Sequence, residues 1–257
     1  MEHIPEFLYH YTDLSSLALI LKNRTFRLNS LKNMDDAEEV MTANSPYLGK
    51  YCMISSWTDL KEESIPFWGL YTKDMAGIRI RMKSNPFVKE RFSFSYISEG
   101  TEFESACPKE ILESNNVYLY PCTPFLRKVL YTNNSELIYP NPIEYVKKNP
   151  DGTYKLSGNF TDINKYKRDS WSFQSEWRYS LVFFPRNENG GLKLELSANA
   201  DDMPFWHCDV KIADDAFENI EITTGPKMQM GDKLLLEALV EKYCPTATIV
   251  ESELRIN

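Results

Sequence analysis

Hydrophobic positions recur along this chain with two periods, and the switches between them mark its elements. Leu14, Leu17, Ala18 and Leu21 stand at i, i+3, i+4 and i+7, the stripe of a helix that Asp13 is placed to cap and that runs to about Lys22. The preceding run Phe7-Leu8-Tyr9-His10-Tyr11 predicts a short strand, leaving His10 and Thr12 at the strand-to-helix turn. Thr25 to Leu28 and Tyr51 to Trp57 predict further strands, and Ile65 to Asp74 a short helix. Within Gly77 to Met82 the residues Ile78, Ile80 and Met82 alternate strictly, which is the period of a strand. The Pro-broken stretch from about Asn85 to Pro150 holds strand-like pieces such as Asn116 to Tyr120, and a helix is predicted over about Asp162 to Lys167.

Glu176 to Phe184 is the most strand-like run. Trp177, Tyr179, Leu181 and Phe183 fall on one face and Glu176 and Arg178 on the other, so the second face is expected toward solvent or a cleft. Asn189-Gly190-Gly191 predicts a turn before an alternating strand through Leu192, Leu194 and Leu196. Ile220 to Thr224 predicts a strand that ends at Gly225-Pro226. Leu236, Leu239, Val240 and Tyr243 stripe a helix over Asp232 to Tyr243, and Thr248 to Glu253 predicts a closing strand. Strands outnumber helices without regular alternation, so the pattern predicts α+β and not a doubly wound sheet.

Composition narrows this picture. A chain of 257 residues with 42% hydrophobic content fits one large domain, 1–257, with a sizeable core. Aromatics at 13% favour strands and a ring-lined pocket. The net charge of -8 argues against a broad grip on a nucleic-acid backbone. Lys165, Lys167 and Arg168 are the candidates for a local basic groove, against the blander expectation of a solvated helix end. Five scattered cysteines (Cys52, Cys107, Cys122, Cys208 and Cys244) fit a reducing compartment. No basic-then-apolar leader and no window of about 18 apolar residues is present, so a cytoplasmic protein off the membrane is expected.

Motifs of several chemistries are missing. The sequence has no G-x-x-x-x-G-K-[ST] loop, no G-x-G-x-x-G and no G-x-S-x-G elbow. His207-Cys208 lacks a second ligand pair, so no metal is expected there. Asp209-Val210-Lys211 spells the D-x-K of some metal-dependent nucleases, a pattern short enough to arise by chance. Asp35, Asp36, Glu38 and Glu39 are expected as a solvated helix start rich in carboxylates.

Other short motifs fall in a telling order. Leu8-Tyr9-His10-Tyr11-Thr12 is followed by Thr25-Phe26-Arg27-Leu28, Met34-Asp35-Asp36-Ala37-Glu38-Glu39, Ile54-Ser55-Ser56-Trp57 and Phe67-Trp68-Gly69-Leu70-Tyr71. Gly77-Ile78-Arg79-Ile80, Trp171 through Arg178 and Gly225-Pro226-Lys227 complete the series. Over nearly the whole chain these resemble the bacterial domain-of-unknown-function 2971 family, although its usual Asn-Asp-Pro reads Asp35-Asp36-Ala37 here. The opening also resembles ADP-ribosyltransferases of the His-Tyr-Glu class.

That resemblance implies an ADP-ribosyltransferase-like domain, two small and mostly antiparallel sheets packed around a cleft with flanking helices. NAD would be the substrate, and ADP-ribose would pass to a macromolecular acceptor, protein or nucleic acid, in a toxin or phage-defence setting that includes an antitoxin or regulator. By position the implied NAD-binding residues are His10, Tyr11, Thr12 and a stacking ring, Tyr71 or Trp68. Glu176 is the implied catalytic carboxylate. Gln174-Ser175-Glu176 resembles the Gln-x-Glu loop of some toxin transferases, which puts Gln174 against the acceptor. The alternatives are an NAD glycohydrolase and a catalytically silent binding module on the same fold. The residue types suit the chemistry, because nicotinamide departure builds positive charge on the ribose that a fixed carboxylate stabilises.

Taken singly, each residue has a blander role: His10 as a packed imidazole, Tyr71 as a core ring, and Glu176 as the partner of Arg178 along its strand.

Overall fold

The computed structural model describes residues 3–43, 47–93, 102–120, 125–150, 154–186, 188 and 203–256. Cys122 and the turn and strand predicted at Asn189 to Leu196 lie outside them. Among the described residues, ten strands join one mixed sheet. Seven follow in the order His207–Lys211, Thr25–Ser30, Cys52–Thr58, Phe7–Thr12, Ile78–Lys83, Glu221–Thr224 and Thr248–Val250. The long strand Glu176–Pro185 pairs antiparallel with Cys52–Thr58 from Glu176–Thr58 to Val182–Cys52, and also with Val117–Tyr120 and Leu126–Lys128. Three two-stranded ladders stand apart from this sheet.

Instead of the two small sheets expected, a single sheet splits. Ile54 pairs with Ser180 on one edge and with Asn29 on the other. Thr58 likewise pairs with Glu176 and with Tyr9. One edge of the Cys52–Thr58 strand therefore serves Thr25–Ser30 at one end and Phe7–Thr12 at the other. Those two strands diverge across residues 55–57, and the divergence opens a cleft.

The helices close the faces as their stripes predict. Leu14–Asn23 buries Leu17, Ile20 and Leu21 and ends at Arg24, whose left-handed backbone (φ 54°) donates its N–H to Ile20 O. Asp13 precedes this helix but does not cap it with its side chain; its carboxylate accepts the Lys73 N–H at 3.0 Å. Met230–Tyr243 buries Leu236 and Val240 and links the one parallel pair of the main sheet, Glu221–Thr224 with Thr248–Val250. At Gly77 and Gly225 a Cβ would stand 2.4 Å from the carbonyl oxygens of Thr12 and Met75 respectively, so these backbones approach too closely for any side chain.

Two predicted features are replaced. Residues 161–165 form turns that lead into the short strand Tyr166–Lys167, not a helix, because Lys167 is drawn inward to buried carboxylates. The Asp35–Glu39 segment is no solvated helix start either. Its Glu39 side chain is 3% exposed and ion-paired in the interior.

Candidate functional site

A cleft of about 450 Å³ fills the split in the sheet. Tyr9 to Thr12, Thr25 to Arg27 and Ile54 to Trp57 supply its walls, with Phe67 and Tyr71 from the Ile65–Tyr71 helix. Lys167, Gln174 and Glu176 line it together with Asp35, Asp36 and Glu39. Three segments far apart in sequence thus bring His10, Tyr71 and Glu176 to one cavity. Among the described residues, no group of three or more His, Cys, Asp or Glu is placed to hold a metal ion, and no helix is long and apolar enough to cross a membrane.

Glu176 opens its strand after Ser175, whose left-handed backbone (φ 39°) turns the chain sharply between Gln174 and Glu176. The Glu176 N–H donates to the Tyr131 hydroxyl at 2.8 Å. Arg178, two residues on and on the same face, is fully buried. Its Nε donates to Glu176 Oε1 at 2.6 Å, one terminal nitrogen to Glu176 Oε2 at 3.0 Å and to Glu39 Oε1, and the other to the Asn164 carbonyl at 3.1 Å. Lys167 Nζ lies 3.3 Å from Glu176 Oε2, 3.7 Å from Glu39 Oε2 and 2.9 Å from Gln174 Oε1. The Glu176 and Arg178 face is therefore no solvent face. Glu39, Asn164 and Lys167 pack against it, two carboxylates and two cations neutralise one another there, and Glu176 lines the cleft as the alternation allows.

These four groups do not share their protons evenly. Burial works against the charge of Glu176, but Arg178, Lys167 and the Ser56 hydroxyl outweigh it and hold the carboxyl at about 2. Burial pushes Glu39 the other way, above the usual carboxylate range, because its contacts with Arg178 and Lys167 are fewer and Glu176 repels it. Glu176 is the fixed anion of the cleft.

His10 is half-buried, with its ring against Phe26 and Trp57 at centroid distances of 4.8 and 5.1 Å. Its Nδ1 donates to the Ser56 carbonyl at 2.8 Å, which assigns the neutral tautomer and leaves Nε2 as an acceptor in the cleft. Desolvation lowers its pKa to about 4 despite that hydrogen bond. An unfolded histidine takes up a proton near 6.5, so the unfolded chain binds it first as the pH falls. The stability His10 allows is complete above about 6.5 and declines between about 6.5 and 4, by on the order of 2 kcal/mol after discounting for solvent screening. Urea melts of wild type and His10→Gln across that window check this; parallel pH dependences would refute it.

Tyr71 lines the cleft beside Phe67, and its hydroxyl accepts a hydrogen bond from Gln174 Nε2. Trp68, the other stacking candidate, is fully buried away from the cleft. Its ring packs edge-on to Tyr11 and its Nε1 donates to Glu63. Tyr11 is also buried, with its hydroxyl accepting the Ser64 N–H, and reaches the cleft only as part of the wall; Thr12 lies on the wall at the strand end. Gln174 is 2% exposed and held by Lys167, Tyr71 and the Thr58 hydroxyl on its carbonyl, so it forms cleft floor and not an exposed loop against an acceptor.

The suggested basic groove is absent for the same electrostatic reason: Lys165 pairs with Asp162, Arg168 with Glu38, and Lys167 with the buried carboxylates. Asp209 of the D-x-K spelling is bound by Arg27 through two bonds of 2.7 and 2.8 Å, and Cys208 is buried in the core.

Compared with family models, curated proteins and solved structures, the chain finds no match. The sequence places Lys167 in a basic groove or at a solvated helix end and Asp35, Asp36 and Glu39 at a solvated helix start, not in this cleft. The acidic run containing Glu39 was a visible signal, but its buried partners are remote in sequence.

Proposed function

We propose that this protein cleaves NAD at the bond between nicotinamide and ribose and transfers ADP-ribose to a macromolecular acceptor, on an ADP-ribosyltransferase-like fold. One observation carries the proposal: an ionised, rigidly held Glu176 shares a cleft with the open acceptor Nε2 of His10 and the ring of Tyr71. Departure of nicotinamide leaves positive charge on the ribose, which a preorganised carboxylate stabilises most in the transition state. His10 Nε2 accepts from a ribose hydroxyl and fixes its orientation. Lining carboxylates Asp35, Asp36, Glu39, Glu176 and Asp209 outnumber the cations Arg27 and Lys167. Such a field favours the cationic nicotinamide riboside half, and leaves the pyrophosphate to neutral donors such as Asn23, Thr25 and Asn29.

A binding module without catalysis is the second reading, because Arg178 and Lys167 already neutralise much of the Glu176 charge. Incubation with adenine-labelled NAD and cell extract decides between them. Label on protein or nucleic acid with nicotinamide release supports transfer, release alone supports hydrolysis, and neither supports the binding module.

The Tyr71 ring offers a separate check. Tyr71→Ala is expected to weaken NAD binding by about 1–3 kcal/mol through loss of an aromatic platform, whereas Tyr71→Phe should bind nearly as wild type. Calorimetry that finds Tyr71→Ala as tight as wild type removes this ring from the substrate site.

A further inference from the structure

Glu176 is braced through both carboxylate oxygens, at Oε1 by Arg178 and at Oε2 by Arg178 and Lys167. Glu39 is held differently. Its Oε1 accepts from Arg178, while the contact to Oε2 is Lys167 Nζ at 3.7 Å, beyond hydrogen-bond reach. Both glutamates line the same cleft, so Glu39 presents one oxygen able to accept a proton there. The two carboxyls hang from the same guanidinium yet have divided environments, the arrangement that separates a charge stabiliser from a proton carrier.

We infer that Glu39 is the base that takes the proton from the nucleophile as it attacks C1′ of the ribose, an inference that rests on the transfer chemistry proposed above. The step balances without a co-reactant. The oxygen of water, or of an acceptor hydroxyl, bonds to C1′ as the bond from C1′ to nicotinamide breaks. Nicotinamide leaves neutral with the bonding electron pair, and the nucleophile's proton passes to Glu39 Oε2.

A base works best when its pKa lies near the working pH, and Glu39 is the carboxyl of the pair raised by burial. The charged groups that face it are Arg178 from the long strand, Lys167 from the short strand, and Glu176. Asp35 and Asp36 flank it on its own segment, and Tyr71, Tyr131 and Cys52 are the further titratable groups that sense its charge.

The test follows nicotinamide release and uses azide, an anionic nucleophile that carries no proton to remove. Glu39→Gln should slow release to water or acceptor by at least about 100-fold, the scale of general base catalysis. Azide should restore release in Glu39→Ala with formation of ADP-ribosyl azide. A purely structural role would give no azide rescue. Wild type supplies a measurement that survives if either variant fails to fold: at neutral pH, where azide is anionic, a solvent deuterium isotope effect on release should appear with water and vanish with azide. An identical isotope effect with both nucleophiles, or Glu39→Gln as fast as wild type, overturns the inference and leaves the transfer reading standing. Wild type that releases no nicotinamide under any condition overturns the transfer reading, and this inference with it.

Discussion

Glu176→Gln is expected to slow nicotinamide release about 100- to 1000-fold, the equivalent of roughly 3–4 kcal/mol, because a preorganised charge at the transition state is lost. NAD affinity should change by no more than about a factor of three, since the charge matters mainly once the bond to nicotinamide has loosened. The substitution keeps the side chain's shape and an oxygen for Arg178, which retains Glu39 and the Asn164 carbonyl as partners. A stability loss of about 1–3 kcal/mol accompanies it, the scale for a damaged buried hydrogen bond. Activity must therefore be compared well below the variant's melting temperature. Equal single-turnover rates for wild type and variant would remove Glu176 from the chemistry and leave it the bland role of pairing with Arg178.

Arg178→Met carries the largest expected effect on stability. It strips the shared partner from two buried carboxylates and leaves Lys167 alone between them. Breaking a buried ion pair from one side costs about 3–5 kcal/mol, which for a chain of this size lowers Tm by roughly 10 °C. Replacing Glu39, Lys167, Arg178 and Glu176 together with apolar residues of similar volume should recover most of that loss, since the desolvation cost of all four charges disappears. The pH dependence has a definite sign. Glu176 is held at about 2 when folded against an ordinary 4.5, so its contribution is present above about 4.5 and is lost as the pH falls toward 2. Acid melts of Arg178→Met should lack that window. A variant as stable as wild type at neutral pH would mean that water, and not the guanidinium, satisfies the carboxylates.

The elements legible in the sequence are those whose signal is local. The stripe of Leu14, Leu17 and Leu21 and the alternation of Ile78, Ile80 and Met82 give their helix and strand within a residue or two, because each face they define is buried. Period two also put Glu176 and Arg178 on one face. It could not say what packs against that face, since Glu39, Asn164 and Lys167 come from elsewhere in the chain. Glu39 reads as a solvated carboxylate for the same reason: its partner Arg178 lies 139 residues away. Lys167 sits among turn-forming polar residues whose spacing imitates a helix end. Trp68 and Tyr71 share one helix and one sequence motif, and only packing against Tyr11 decides that Trp68 faces inward. Long-range electrostatics, not propensity, hid the rest of the site.

The split in the sheet also sets when this protein can act during its own synthesis. His10 and the strand Cys52–Thr58 emerge early, but Glu176, which pairs with Thr58, is translated far later. At roughly 5–20 residues per second, the ribosome needs about 6–24 seconds to pass from Thr58 to Glu176. Throughout that interval the nascent chain carries one wall of the cleft without its fixed anion. If the cleft consumes NAD, the unfinished chain is harmless to the cell that makes it, and the chemistry switches on only after the long strand has docked.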